Sequence, residues 1–179
     1  NLFRLRQIDD LFGGRIQTLA SNAFNIAAAT KDADLLVGSV LIPGALTPKL
    51  VTEAMVKTMK PGSAIVDVAI DQGGCIEPTA KHGATYHDKP TFKYPVNGGE
   101  VVCYSVGNMP GAVARTSTFT LTNATMPYMV DLANKGWKKA CQDDKALARG
   151  INTYDGKVYF KGVSDALGYE LHCTCDILK

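Results

Sequence analysis

The sequence contains no apolar run approaching the roughly 20 residues that a membrane-spanning helix requires, so no membrane partner is expected. A charge excess is missing as well. The 19 Lys and Arg stand against 17 Asp and Glu, and the balance of +2 is too small to make nucleic acid or a membrane surface the main partner. A disulfide framework is also lacking. The five cysteines are an odd number, at Cys75, Cys103, Cys141, Cys173 and Cys175, which favours a reducing, cytoplasmic compartment. The tail His172-Cys173-Thr174-Cys175 has no second ligand pair to complete the four-fold set of a zinc site, so ordinary thiols and no metal are expected there. Internal repeats and low-complexity tracts are absent. The opening Asn1-Leu2-Phe3-Arg4-Leu5-Arg6 has no initiator Met and no signal-like apolar region. It reads as the middle of a helix, and the expectation is a fragment of a longer chain.

What remains is ordinary globular material. At 179 residues, 46% hydrophobic and 20% charged, the chain can form one domain, or a domain with a subdomain, around a buried core. After a helix stop at Gly13-Gly14, the segment Arg15-Ile16-Gln17-Thr18 reads as a short strand. Ser21 or Asn22 can cap a helix from Ala23 to Thr30. Leu35 to Leu41 and Ala64 to Ile70 are almost unbroken apolar runs, the pattern of strands buried on both faces of a parallel sheet. Between them, Thr47-Pro48 supplies a hydroxyl cap and a first-turn proline for a helix ending at Pro61-Gly62. Residues 75 to 100 are polar and turn-rich and read as an excursion with little regular structure, carrying His82 and His87 at the surface. Val101 to Val106 is a further strand, in which Cys103 reads as a small buried thiol. Strands spaced by helices imply an α/β fold, a doubly wound parallel sheet.

Beyond Pro110 the rhythm changes. Thr116 to Ala133 reads as a helix that Pro127 should kink or divide, with a stop at Gly136. Short helical pieces follow at Trp137 to Cys141 and Lys145 to Arg149. Asp155-Gly156 between β-prone residues signals a hairpin, and Ser164 to Leu167 gives a last helical turn before Gly168. The expected organisation is a partial nucleotide-binding domain over residues 1–115, followed by a helical and hairpin tail over 116–179.

Ligands of open parallel sheets bind outside the carboxyl ends of the strands. Three segments fall there: Leu41-Ile42-Pro43-Gly44, Asp71-Gln72-Gly73-Gly74, and Gly107-Asn108-Met109-Pro110-Gly111. Asp71 follows an apolar strand, where a carboxylate can contact a ligand, orient a base or close a turn. Asn108 carries the same choice between turn former and ligand contact, and Pro43-Gly44 reads as a plain loop.

The run Asp67-Val68-Ala69-Ile70-Asp71-Gln72-Gly73-Gly74 resembles the signature D-[IV]-A-I-D-Q-G-G of the alanine dehydrogenase and nicotinamide nucleotide transhydrogenase family, on its alanine dehydrogenase branch. Gly38-Ser39-Val40-Leu41-Ile42-Pro43-Gly44 with Pro48-Lys49-Leu50-Val51, Met59-Lys60-Pro61-Gly62, His87-Asp88-Lys89-Pro90-Thr91-Phe92, Asn108-Met109-Pro110 and Leu121-Thr122-Asn123-Ala124-Thr125-Met126-Pro127-Tyr128 are similar to the family in the same order. The resemblance implies a Rossmann-like domain and the reversible oxidation of L-alanine to pyruvate and ammonium, with hydride passing to NAD. By the same resemblance Asp71 is the cleft aspartate placed between nicotinamide and substrate, a cofactor-binding as well as a catalytic residue, where it orients the substrate amino group or a water. Asn108 and Met109 contact the nicotinamide ribose and ring, and the backbone of Val40 and Leu41 faces the ribose and pyrophosphate. Ser21 lies near the adenine, and Val68 and Ile70 line the nicotinamide pocket.

The family's G-x-G-x-x-G fingerprint is absent from this sequence. The arginine, lysine and histidine that grip and protonate substrate in the family match nothing here. The resemblance therefore implies a carboxyl-terminal half, inactive alone, that joins its amino-terminal half and assembles as a hexamer. The tail from Thr116 would pack on the substrate domain. The alternatives are the nucleotide-binding part of a transhydrogenase and a non-catalytic, truncated interaction module. Asp71-Gln72 differs from the transhydrogenases' usual acidic-alanine pair, and Ala45-Leu46-Thr47-Pro48 lacks their Arg-Pro pattern.

Overall fold

The computed structural model describes residues 1–42 and 46–179, so the plain loop expected at Pro43-Gly44 lies outside the described residues. The chain falls into two compact units. The first holds residues 1–41 and 47–107, and the second holds 108–179 together with Ile42 and Leu46.

In the first unit, α1 (Leu2–Phe12) begins under Asn1, whose side chain accepts the Arg4 N–H at 3.2 Å, and stops at Gly13. Arg15 to Thr18 is turn and irregular chain instead of the expected strand. Among the described residues no strand offers this segment a ladder, and its backbone groups gain nothing from extension without one. α2 (Ala23–Asp32) is capped by Asn22, which accepts the Asn25 N–H at 2.8 Å. β1 (Leu35–Gly38) ends three residues before the expected Leu41 and is not buried on both faces, since Leu35 and Val37 are 58% and 52% exposed. β1 lies at the sheet edge, and its partly buried Leu36 packs on the core.

Thr47-Pro48 does not open a helix. α3 is only Glu53–Val56, under a Thr52 cap whose hydroxyl accepts the Met55 N–H at 3.3 Å. The amides of Leu50 and Val51 both donate to the Cys75 carbonyl, at 2.9 and 3.2 Å, and Val51 bridges to Ile76. Tertiary pairing takes these donors, which outweighs the local cap signal. β2 (Ala64–Asp67) runs parallel to β1, in register from Leu35↔Ala64 to Gly38↔Asp67. It stops well short of the expected Ile70, because the chain bends at Ala69 into a 3-10 turn over Ile70–Gln72.

Residues 75 to 100, expected as an irregular excursion, hold α4 (Glu77–His82) and β3 (Thr91–Val96), which turns through Asn97-Gly98 into β4 (Gly99–Tyr104). His82 and His87 are exposed as expected, with His82 stacked on Phe92 at 3.7 Å. The sheet order is β1-β2-β4-β3. β1, β2 and β4 are parallel, whereas β3 is antiparallel to β4. The fold is thus α/β with a mixed, parallel-dominated sheet rather than a parallel one throughout. A two-residue connection returns the chain antiparallel, because a parallel neighbour needs a long crossover. Phe92, Tyr94 and Val96 alternate onto the core, and Pro95 is tolerated because β3 is an edge strand. Ile65, Val101 and Cys103 of the sheet meet Val56, Met59 and Ile76 in a core where each is at most 1% exposed. Burial of each large aliphatic here contributes roughly 1.5–3 kcal/mol.

The second unit starts with a 3-10 turn over Met109–Val113 that leads into α5 (Ala114–Asp143). Pro127 does not divide this helix. The backbone breaks at Gly136, whose φ of 71° and ψ of 159° lie outside the helical region. α6 (Lys145–Ala148) follows under an Asp144 cap. β5 (Thr153–Tyr154) and β6 (Lys157–Val158) close as the expected hairpin on Asp155-Gly156, and α7 (Lys161–Leu167) stops at Gly168. Cys173 and Cys175, expected as ordinary thiols, are paired as a disulfide across one residue. α5 buries only Ala140 and Cys141, while Phe119, Leu121, Met129 and Val130 are 46–65% exposed. No helix among the described residues is long and apolar enough to cross a membrane.

Candidate functional site

The parallel register of β1, β2 and β4 brings their carboxyl ends to one edge of the sheet, where ligands of this architecture bind. The β1–β2 ladder continues one step past both strands, since Val68 donates its N–H to the Gly38 carbonyl at 2.7 Å. Two segments therefore leave the sheet side by side: Ser39 to Leu41 after β1, and the turn from Val68 to Ile76 after β2.

That turn is fastened from two sides. On one side stands Asp67, the last residue of β2 and fully buried. Its carboxylate accepts the Cys75 N–H at 3.1 Å, the Ile76 N–H at 3.2 Å and the Thr79 hydroxyl at 2.5 Å. A buried carboxylate is costly unless donors surround it, and here three do. On the other side, residues 47–50 take four successive carbonyls. The Thr47 N–H donates to Gln72 at 3.0 Å, the Lys49 ammonium to Gly73 at 2.5 Å and Gly74 at 2.6 Å, and the Leu50 N–H to Cys75 at 2.9 Å. Asp71 sits within this fastened turn with its side chain exposed, and no hydrogen bond to its carboxylate occurs among the described residues. Cys75 is buried beside Asp67. Burial, and next the Asp67 carboxylate, push its thiol above the ordinary range, so it is a neutral wall residue and no nucleophile.

At the same edge a cleft of about 370 Å³ opens between α2 and β1, lined by Ser21, Asn25, Thr30, Ser39, Val40 and Cys75 among others. Among the described residues the buried Thr30 hydroxyl has no hydrogen-bond partner. A mainly apolar lining with the exposed Ser21 and Ser39 among its residues fits one end of a nicotinamide dinucleotide: a flat ring against carbon, ribose hydroxyls against oxygen. Among the described residues no group of three or more His, Cys, Asp or Glu is arranged to hold a metal ion.

The expected site residues fall as follows. Ser21 and Val40 share the cleft, and Leu41 is 66% exposed beside it in sequence. Val68 is exposed and Ile70 buried, both in the turn after β2 and not in the strand as expected. Asn108 and Met109 lie in the second unit, where Asn108 lines a groove with Pro110, Gly111 and residues of α5. Reading the sequence missed Asp67 and Lys49. The signal for Asp67 was available: a carboxylate inside an apolar run must find donors. Lys49 gave none, because an exposed lysine is the default for a lysine.

The family question is decided by a match over residues 1–161 to the family described as alanine dehydrogenase/PNT, C-terminal domain. The chain belongs to this family. The alanine dehydrogenase of Bacillus subtilis is 59% identical over 170 residues, covering 95% of this chain and 43% of its own length. That of Methanococcus maripaludis is 56% identical over 166 residues, covering 93% and 43%. A solved L-alanine dehydrogenase superposes with a TM-score of 0.77 at 46% identity, covering 94% of this chain and 44% of that one. The chain thus spans less than half the length of the curated relatives it matches. The α/β architecture with its Rossmann-like sheet is that of the family, and the signature segment 67–74 is the fastened turn itself.

Proposed function

We propose that the protein is an NAD-dependent L-alanine dehydrogenase, which converts L-alanine, NAD and water into pyruvate, ammonium, NADH and a proton, and reverses that reaction. The observation that carries this reading is Asp71. Its exposed carboxylate stands on a turn fastened on both sides, at the ligand edge of the sheet, inside Asp67-Val68-Ala69-Ile70-Asp71-Gln72-Gly73-Gly74. The turn is fastened through other groups, and among the described residues nothing bonds the Asp71 carboxylate, which leaves it for a reacting amine.

The roles proposed are those that the family resemblance implies. Asp71 accepts a hydrogen bond from the substrate amino group, or from the water that replaces it at carbon, and so orients the lone pair and the departing proton. Ser21 sits at the adenine end of the cleft, with the Val40 and Leu41 backbone along ribose and pyrophosphate. Val68 and Ile70 border the nicotinamide pocket, while Asn108 and Met109 contact its ribose and ring. NAD, when bound, supplies the hydride acceptor. The rest of the subunit supplies the groups that grip the carboxylate and move protons, so this chain alone is inactive in this reading. Residues 116–179 pack on the substrate domain, which gives the exposed apolar residues of α5 a cover. A cytoplasmic homohexamer acting in alanine catabolism completes the proposal.

The test is absorbance at the NADH band when the full-length protein meets L-alanine and NAD, with subunit number measured by light scattering. Turnover on L-alanine that Asp71→Asn removes is expected. A folded full-length protein without turnover in either direction would overturn the assignment.

A further inference from the structure

We infer that Lys49 and Asp67 are positioning residues for Asp71, a two-sided clamp that holds the site carboxylate without touching substrate. The inference rests on the proposed role of Asp71 and adds to it the residues that fix its place.

Four successive carbonyls, from Gln72 to Cys75, accept hydrogen bonds from donors of residues 47–50, and the amides of Cys75 and Ile76 donate to one buried carboxylate. A surface turn of glycines ordinarily leaves such groups to water. Here none of the four carbonyls is left free, although Asp71 itself stays exposed. Lys49 is the unusual member. A single ammonium bridges two adjacent carbonyls at 2.5 and 2.6 Å, and its reach comes from a segment 24 residues earlier in the chain. Gly73 and Gly74, both at positive φ, would otherwise make this the most pliant part of the edge. The clamp removes that freedom where the carboxylate must be held to a fraction of an ångström.

The experiment uses the full-length protein, with Lys49→Met, Lys49→Arg and Asp67→Asn, and with Lys93→Met as control. The control breaks the exposed Lys93–Glu100 pair on the far edge of the sheet. Amide hydrogen exchange is followed over residues 69–76 and over β4, and kcat and KM are measured in parallel. For Lys49→Met, faster exchange confined to 69–76 is expected, with kcat on L-alanine lowered on the order of 10–100-fold. KM for NAD should stay within about twofold, since uniform binding is not what the clamp provides. Lys49→Arg, which can still donate to both carbonyls, should recover most of kcat, and Lys93→Met should alter nothing. Exchange over 69–76 and kcat both unchanged in Lys49→Met would overturn the clamp. A uniform rise of exchange through β4 would overturn it too, by marking Lys49 as a general stabiliser. Asp67→Asn checks the same loop from its other side even if Lys49→Met fails to fold. A wild-type protein without turnover on L-alanine is a separate result. It would sink the proposed function, and with it the purpose of the clamp, whatever the variants show.

Discussion

A Cβ built on Gly74 would lie 2.8 Å from Oδ2 of Asp67, so the glycine and the buried carboxylate exclude any side chain between them. Gly74 also sits at φ +73°, where L-residues are strained, and the same Cβ would press on Ala80 at 3.2 Å. Neither neighbour can retreat: Asp67 holds three donors, and Ala80 belongs to α4. Gly74→Ala is therefore expected to destabilise the folded protein by about 2–4 kcal/mol, combining backbone strain with the loss of carboxylate hydrogen bonds. Urea unfolding of the full-length variant beside wild type measures it, and a loss under 1 kcal/mol would contradict the geometry.

Thr79 tests the carboxylate from the opposite direction. Its hydroxyl is fully buried and donates to Asp67 at 2.5 Å, the shortest of that group's bonds. Thr79→Val keeps the shape and removes the donor, leaving a buried charge short of a partner. A loss of about 1–3 kcal/mol is expected, and Thr79→Ser should restore most of it. Equal unfolding midpoints for the valine and serine variants would show that the bond contributes nothing.

Burial pushes the Cys103 thiol from an ordinary 9.0 up to about 11. The folded state thus holds its proton more tightly than the unfolded chain. Stability from this source is present in full below pH 9.0, begins to fall once the unfolded thiol ionises, and is lost as pH rises through about 11. Cys75 and Cys141 are raised in the same direction, each chiefly by burial. Thiolate absorbance near 240 nm should stay low in the native protein at pH 10 and appear on addition of denaturant. Cys103→Ala should flatten the alkaline decline in melting temperature; an unaltered decline would place its origin elsewhere.

How much of this could be read in advance depends on which interactions are local. The Asn22 cap, the Asp155-Gly156 hairpin and the stop at Gly168 involve neighbours in sequence, and all three stand where they were expected. Thr47-Pro48 carried an equally good local signal for a helix and lost, because the amides of Leu50 and Val51 pair with Cys75 across the sheet edge. β3 carried an inward alternation of Phe92, Tyr94 and Val96, but Pro95 disguised it. A proline is excluded from an inner strand yet acceptable at an edge, and edge position is a fact of topology. The same holds at the site. Asp71 was singled out from a signature, and Asp67 stood in the same signature. That Asp67 is the buried anchor and Asp71 the exposed group depends on the chain leaving the strand at Val68 and not after Ile70. Lys49 could not be found from sequence at all, since its two carbonyl partners lie 24 and 25 residues away.

Asp71→Asn separates chemistry from architecture, and that makes it the most informative single change. The side chain is exposed and no hydrogen bond to it occurs among the described residues, so the amide should leave the fold and melting temperature as they were. The bonds by which Lys49 and Asp67 hold the turn run to the backbone of residues 73–76 and none to the Asp71 side chain, so the turn should keep its place. An amide is isosteric with the carboxylate but carries no charge to hold an ammonium or take a proton. If Asp71 orients the reacting amine or water, kcat should fall by roughly 10²–10⁴-fold, the usual range for removing such a group. NAD affinity, measured by fluorescence titration in the absence of alanine, should move little, since Asp71 is not among the lining residues of the cleft proposed for the cofactor. Loss of kcat together with loss of melting temperature would instead make Asp71 a structural turn residue, and full activity in the asparagine variant would remove it from the reaction altogether.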